Sequence, residues 1–222
     1  MNKLNHIAFI MDGNGRWGKK KGRGRKFGHL KGVETVKKIV KASIKFKIPI
    51  VTFYVFSTEN WKRPESEKSY LFKLIKNYFA KEIENIFKQG IKVNFFGEIK
   101  KLSNDLNRIL KKTANLTKKN KKIIVNLAIN YGSRREIIKA IKKTHNNFTI
   151  KKFEKNLYSK NMPHPDILIR TGGFQRLSNF LLWQIAYTEL FFLKKLWPDF
   201  NSKDLYKIII QYKKIKRNYG GL

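Results

Sequence analysis

HIAFIMDGNGRW, residues 6–17, is the stretch on which the fold turns. Its first half is apolar without polar alternation, as a parallel strand buried on both faces requires. Its second half breaks into a carboxylate, two glycines and an arginine, the punctuation of a strand end. Five more segments share the apolar pattern: 50–56 (IVTFYVF), 92–97 (KVNFFG), 122–130 (KIIVNLAIN), 166–171 (DILIRT) and 190–196 (LFFLKKL). Helical periodicity fills the intervals. Val33, Val36, Val40 and Ile44 recur at three- and four-residue spacing, and over 66–88 a wide apolar face carries Leu71, Leu74, Ile75, Tyr78, Phe79, Ile83, Ile86 and Phe87. Further helices are expected over 103–119, 133–145, 150–160, 177–188 and 202–216. The alternation predicts an α/β fold, a six-stranded, mostly parallel sheet flanked by helices. With 222 residues and no repeat or break in composition, a single domain over 1–222 is expected.

Composition narrows the function classes. The chain has no cysteine, which excludes disulfides, thiolate metal sites and cysteine nucleophiles and suits a cytoplasmic location. The N-terminal apolar run is too short for a signal-peptide core, and no later run reaches membrane-spanning length. Fifty basic residues face 15 acidic ones, a formal charge of +35. Such a balance points to nucleic acid, an anionic membrane or phosphorylated small molecules as partners. Forty of the basic residues are lysines spread along the whole chain, as on a solvated surface. The ten arginines say more, because guanidinium grips phosphate in bidentate fashion where lysine offers a point charge. Five of them, Arg16, Arg25, Arg63, Arg170 and Arg176, lie in three Gly- or Pro-marked segments. Those segments are expected to converge on phosphate.

Open α/β sheets bind ligands beyond the carboxyl ends of their strands, and all three segments follow predicted strands. In Asp12-Gly13-Asn14-Gly15-Arg16-Trp17, the glycines let backbone N–H groups approach a diphosphate that Arg16 neutralises. Asp12 suits Mg²⁺, which takes one or two carboxylates together with phosphate oxygens; a turn-capping role accounts for it equally on local sequence. Arg25 and His29 follow at the start of the next helix, within reach of the same anion. The loop from Ser57 through Thr58, Glu59, Asn60, Trp61 and Arg63 to Pro64 concentrates polar function, with capping as the alternative for Glu59 and Asn60. Its end, Trp61 to Glu67, reads as a lid. Arg170, Gly172, Gly173, Arg176, Leu177 and Ser178 form a second anion cradle near a helix start. Glu189 is the lone acid of an apolar stretch, which calls for a metal, a salt bridge or a subunit interface.

Taken together, H-x-x-x-I-M-D-G-N-G-R-W (6–17), F-S-T-E-N-W-x-R-P (56–64), R-T-G-G-x-x-R-x-S-N-F-L-L-W-Q-I-A-Y-x-E (170–189) and L-W-P-D-F (196–200) resemble the signature of the cis-prenyltransferases, specifically the bacterial undecaprenyl diphosphate synthases. The resemblance runs from His6 to Gly221. It implies a Mg²⁺-dependent transferase that adds isopentenyl diphosphate to a farnesyl-like allylic diphosphate, giving a long Z-polyprenyl diphosphate, the undecaprenyl carrier of cell-wall glycan synthesis. By the same resemblance Asp12 is catalytic and ligates Mg²⁺ with Glu189, and Asn60 falls where the family places its proton acceptor. Gly13, Asn14, Gly15, Arg16, Trp17, Arg25 and His29 hold the allylic diphosphate. Arg170, Arg176, Leu177 and Ser178 hold isopentenyl diphosphate, and Ser57, Thr58, Glu59, Trp61 and Arg63 line the shared site. The growing chain needs an apolar tunnel, for which Leu71, Leu74, Ile75, Tyr78 and Phe79 are the candidate wall. A homodimer is also implied, while the excess of lysine favours peripheral contact with an anionic inner membrane face, and no nucleic-acid partner is expected. Two departures stand out: Phe174-Gln175 follows the glycine pair where relatives often carry an acid, and the K-R-N-Y-G-G ending (216–221) only partly matches. A basic nucleic-acid-binding protein is the rival reading, and it leaves the second and third loops unexplained.

Overall fold

The computed structural model describes residues 2–144 and 148–217. The elements run β1 (His6–Ile10), α1 (Asn14–Lys20), α2 (Gly24–Lys45), β2 (Ile50–Ser57), a 3-10 turn (Thr58–Lys62), α3 (Glu65–Lys88), β3 (Ile91–Phe96), α4 (Asn104–Thr117), β4 (Ile123–Tyr131), α5 (Ser133–Lys143), α6 (Ile150–Glu154), β5 (Ile167–Arg170), β6 (Glu189–Phe192) and α7 (Ser202–Lys214). The six strands form one sheet in the order β3-β4-β2-β1-β5-β6, every pairing parallel. Sheet alternation divides the core in two. Ile7, Phe9, Val51, Phe53, Ile167 and Ile169 face a large cluster closed by α2, α3, α4 and α7. Ala8, Ile10, Ala128 and Leu168 face a smaller cluster with Phe180, Leu181 and Ile185. Two covered faces explain why these strands read as continuous apolar runs.

The chain leaves β1 toward β2 on one side of the sheet and returns to β5 on the other, so the strand order reverses at β1. Such a reversal opens a crevice at the carboxyl ends of the strands. Asp12, the end of β2 and Arg170 meet there.

Four sequence expectations are corrected. The expected 177–188 helix does not form; those residues make turns, with Ser178, Asn179 and Leu181 at φ of 50°, 62° and 47°. Their apolar side chains are buried as a helix would bury them, but the backbone is tied to α5 instead. Asn179 O accepts the Ser133 N–H, Asn179 Oδ1 accepts the Arg134 N–H, and Ser133 Oγ accepts the Leu182 N–H. Conversely, the glycine-rich segment after β1 is a loop only at Asp12 and Gly13, and α1 begins at Asn14. The glycines that signal a loop serve close packing here: a Cβ on Gly28 of α2 would lie 1.8 Å from the Asn14 carbonyl oxygen of α1. The helix expected over 150–160 ends at Glu154, and the strand expected over 190–196 spans Glu189–Phe192.

Candidate active site

A cleft of about 350 Å³ opens at the carboxyl ends of β1, β2 and β5. Arg16, Arg25, Arg63, Arg170 and Arg176, the five arginines singled out from sequence, all line it, and Asp12 is the single carboxylate among the lining residues. Gly13, Asn14, Gly15, His29, Ser57, Asn60 and Ser178 complete its polar wall, and Ile10, Met11, Tyr54, Val55 and Leu71 its apolar side. The surplus of guanidinium over carboxylate suits a multiply charged anion.

Asp12 sits between two arginines. Its Oδ1 accepts from Arg16 at 3.2 Å and its Oδ2 from Arg170 at 3.0 Å. Gly13 places α1 behind it: φ of 106° is a left-handed conformation, and a Cβ there would approach Leu196 to 2.7 Å. Arg170 is 3% exposed and also donates to Ser178 Oγ at 2.9 Å and to the Arg176 carbonyl. This buried guanidinium therefore ties Asp12 to the Arg176–Ser178 cradle. The Arg176 guanidinium is exposed and makes no ion pair among the described residues.

The second loop is held from α3. Glu67, which the sequence marks only as an acid in the first turn of a helix, bonds Arg25 at 2.8 and 3.0 Å and Arg63 at 3.2 Å, and lies 3.3 Å from His29 Nε2. The Arg25 hydrogen bonds, with the charges of Arg25, Arg63 and His29, hold the Glu67 carboxyl at a pKa of about 2 against burial. Burial pushes the His29 pKa down, so at neutral pH its imidazole adds no sixth cation. No composition signal singles out Glu67, because two of its three partners, Arg25 and His29, come from α2, 42 and 38 residues away.

Most of the other expected site residues lie outside the cleft. Asn60 lines it, but its Oδ1 accepts the Ser57 N–H at 3.1 Å in a reciprocal cap of the 3-10 turn, leaving its NH₂ as the remaining polar group. Glu59 accepts from Asn179 at 2.8 Å, joining the second loop to the third. Trp61 donates to Asn130 Oδ1 at 2.7 Å, and Trp17 donates to Asp199 and stacks on Phe27. Thr58 and Leu177 do not line the cleft. Glu189 is not brought to Asp12. It pairs in register with Ile167 at the amino end of β5, three residues from Arg170, and its Oε1 lies 3.6 Å from Arg217. Within one chain Glu189 is thus a salt-bridge residue, and the residues 218–221 of the C-terminal motif lie outside the described part.

Behind the cleft, two apolar chambers run between α2 and α3 over β2, β4 and β3. The first, about 110 Å³, shares Met11, Asn14, His29, Val55 and Leu71 with the cleft, and Leu74, Ile75, Tyr78 and Phe79 line it as expected. The second, about 120 Å³, shares Val36, Tyr78, Phe79 and Leu127 with the first and ends at Asn85, Gln89 and Ile91. The Tyr78–Phe79 pair, 5.2 Å between ring centres, stands where they meet. An arginine-lined mouth thus adjoins two apolar chambers in series.

Residues 10–220 match the family described as putative undecaprenyl diphosphate synthase. The isoprenyl transferase of Prochlorococcus marinus subsp. pastoris is 44% identical over 98% of this chain and 84% of its own length. That of Fusobacterium nucleatum is 45% identical, over 98% and 96%. Lavandulyl diphosphate synthase from Lavandula x intermedia, solved in complex with dimethylallyl diphosphate, superposes with a TM-score of 0.93 at 30% identity over 98% of both chains. A probable undecaprenyl diphosphate synthase from Campylobacter jejuni gives 0.85 at 31% over 100% of both chains. The five-arginine cleft, the passage behind it and these relatives agree, and the chain belongs to the undecaprenyl diphosphate synthase family of isoprenyl transferases, the cis-prenyltransferases.

Proposed function

We propose that this transferase extends a farnesyl-type allylic diphosphate with successive isopentenyl diphosphate units, giving a Z-polyprenyl diphosphate of undecaprenyl length, about eleven isoprene units, which its passage guides. Such a lipid carries cell-wall glycan precursors. The observation that supports this reading is a five-arginine cleft that shares a wall, Met11, Asn14, His29, Val55 and Leu71, with an apolar chamber behind it. Two diphosphates side by side need cationic groups from two directions, which α1, α2 and the second loop supply on one side and Arg170 and Arg176 on the other. The allylic C1–O bond breaks with its electron pair leaving on diphosphate. The alkene of isopentenyl diphosphate attacks C1, and loss of a proton from its C2 sets the new Z double bond. Asn60 Oδ1 is engaged by Ser57, so Asn60 orients with its NH₂ and a diphosphate oxygen takes the proton.

Magnesium fits the donor set, since one carboxylate, Asp12, faces a cleft built for phosphate oxygens, the mixture that Mg²⁺ prefers. Asp12 would hold it, and bound there it would stabilise negative charge on the departing diphosphate. Glu189 is too far along the sheet to join Asp12 within one chain. Exposed Leu190 on edge strand β6 and exposed Tyr187 just before it support a homodimer, checked by sedimentation equilibrium. No described helix is long and apolar enough to cross a membrane. Exposed Lys88, Lys118, Lys119, Lys121 and Lys122 surround the turns near the far end of the passage and support docking of a cytoplasmic enzyme on an anionic inner membrane face. Salt-sensitive pelleting with anionic but not neutral vesicles checks that contact.

The decisive assay is incorporation of labelled isopentenyl diphosphate onto farnesyl diphosphate with Mg²⁺, with and without chelator, followed by chain-length analysis. Labelled long-chain product that disappears with chelator is expected. Absence of product with every allylic primer tested would refute the reading.

A further inference from the structure

Phe174, the residue that departs from the familiar sequence pattern, stands at the junction of the two anion cradles. Three guanidiniums surround its ring: Cζ lies 4.1 Å from the ring centre for Arg176, 4.9 Å for Arg16 and 5.9 Å for Arg170. Arg16 belongs to α1 after the first strand, whereas Arg170 and Arg176 belong to β5 and the loop that follows it. Gly172 and Gly173, at φ of 93° and 85°, turn the chain back so that Phe174 reaches this position. A Cβ on Gly172 would come within 2.6 Å of Arg16 Nη2, so the glycine keeps the path of that side chain open.

Three cations gathered before any anion arrives repel one another. Asp12 offsets two of them, Arg16 and Arg170, but does not reach Arg176. The remaining compensation comes from the ring, whose negative face attracts guanidinium. A carboxylate at this position would hold arginines through their N–H donors, the groups a diphosphate must use. An aromatic ring engages the guanidinium through its quadrupole and takes none of those donors.

We infer that Phe174 is a positioning residue that holds Arg16 and Arg176 by cation–π contact, keeping the two diphosphate cradles facing each other without occupying any of their in-plane N–H donors. The inference rests on the transferase reading for its kinetic consequences but not for its binding ones. The test uses the full-length protein with Phe174→Leu, which keeps apolar bulk and removes the ring, and Phe174→Tyr, which keeps the ring. Binding of inorganic pyrophosphate is followed by titration calorimetry, steady-state kinetics by isopentenyl diphosphate incorporation, and folding by thermal melting.

Phe174 is 40% exposed, so neither substitution is expected to shift the melting midpoint appreciably. The Leu variant is expected to bind pyrophosphate about tenfold more weakly and to raise KM for isopentenyl diphosphate by a similar factor, with kcat changed much less. The Tyr variant is expected to stay within about twofold of the parent in both, since its ring holds the same cations. Leu within twofold of the parent, or Tyr as impaired as Leu, overturns the inference. Pyrophosphate binding needs no turnover, so a parent protein without activity refutes the transferase reading while leaving the binding comparison able to uphold or sink the role of Phe174.

Discussion

Glu67 and Asp12 are the two carboxylates that organise four of the five cleft arginines, and they do so differently. Glu67 is 8% exposed and clamps Arg25, Arg63 and His29 from α3, linking the second loop to α2. Its folded pKa of about 2 lies below the ordinary 4.5, so its contribution is fully present above pH 4.5 and is lost only as pH falls toward 2. The clamp is therefore constant across any neutral working range. Glu67→Gln keeps size but removes the charge that orients both arginines. Charged hydrogen bonds of this kind contribute about 1.5–3 kcal/mol, so KM for the allylic diphosphate is expected to rise about tenfold, read by steady-state kinetics. A lowered KM would mean that Glu67 competes with substrate rather than orienting its ligands. Asp12, in contrast, lies inside the cleft between Arg16 and Arg170. Asp12→Asn is expected to reduce turnover at least about a thousandfold while calorimetric affinity for pyrophosphate stays the same or tightens, because a negative charge is removed from an anion site. Unchanged turnover would refute its assigned role.

Helix α3 carries both halves of the site, the Glu67 clamp in its first turn and the passage wall along its middle. Leu71, Leu74, Ile75, Tyr78 and Phe79 recur at helical spacing and face the chambers. Leu74 is half-buried, so a larger side chain there fills the first chamber with less strain on the core than a change at Phe79, which is 4% exposed. Leu74→Trp is expected to shift product to shorter chains with initial incorporation nearly unchanged, as chromatography of the polyprenols will report. Product of parental length would move the length-limiting wall elsewhere. The apolar periodicity of this helix was legible in the sequence, as were five strands to within a residue or two and all five cleft arginines. The turns at 177–188 were not. Phe180, Leu181 and Ile185 carry an apolar pattern compatible with a helix, and only the tertiary hydrogen bonds from Asn179 and Ser133 decide for left-handed turns. Glu67 was missed for the related reason that its partners are up to 42 residues away and become neighbours only when α2 and α3 pack. Periodicity reports burial, whereas a contact between distant polar groups leaves no periodic trace.

Across the whole sheet, one polar row crosses the otherwise apolar smaller-core face. Pro163 O accepts from His6 Nδ1 at 2.8 Å, His6 Nε2 accepts from Thr52 Oγ1 at 2.7 Å, Thr52 accepts from Asn126 at 2.9 Å, and Asn126 accepts from Asn94 at 2.9 Å. The row links β1, β2, β4 and β3 in the direction that a neutral imidazole gives it: a proton on Nε2 would turn that nitrogen into a donor and force the Thr52 hydroxyl hydrogen away from it. Burial pushes the His6 pKa down to about 4, against the pull of the Pro163 carbonyl and the Asp166 charge. The folded value lies below the unfolded 6.5, so the unfolded chain takes up a proton first as pH falls. The contribution of His6 to stability is therefore complete above pH 6.5 and is lost as pH falls from 6.5 to about 4. At pH 5 the linkage amounts to about 2 kcal/mol relative to pH 7.5. Urea unfolding at the two pH values is expected to show this loss in the parent, and His6→Gln, whatever its own stability at pH 7.5, should show a pH-dependent loss smaller by about 2 kcal/mol. Equal pH dependence in both proteins would place the acid-labile group elsewhere. The arginine-lined cleft opens at the ends of β1 and β2, two of the strands this row ties together, so acid loss of the row should release Asp12 from the sheet together with the fold itself.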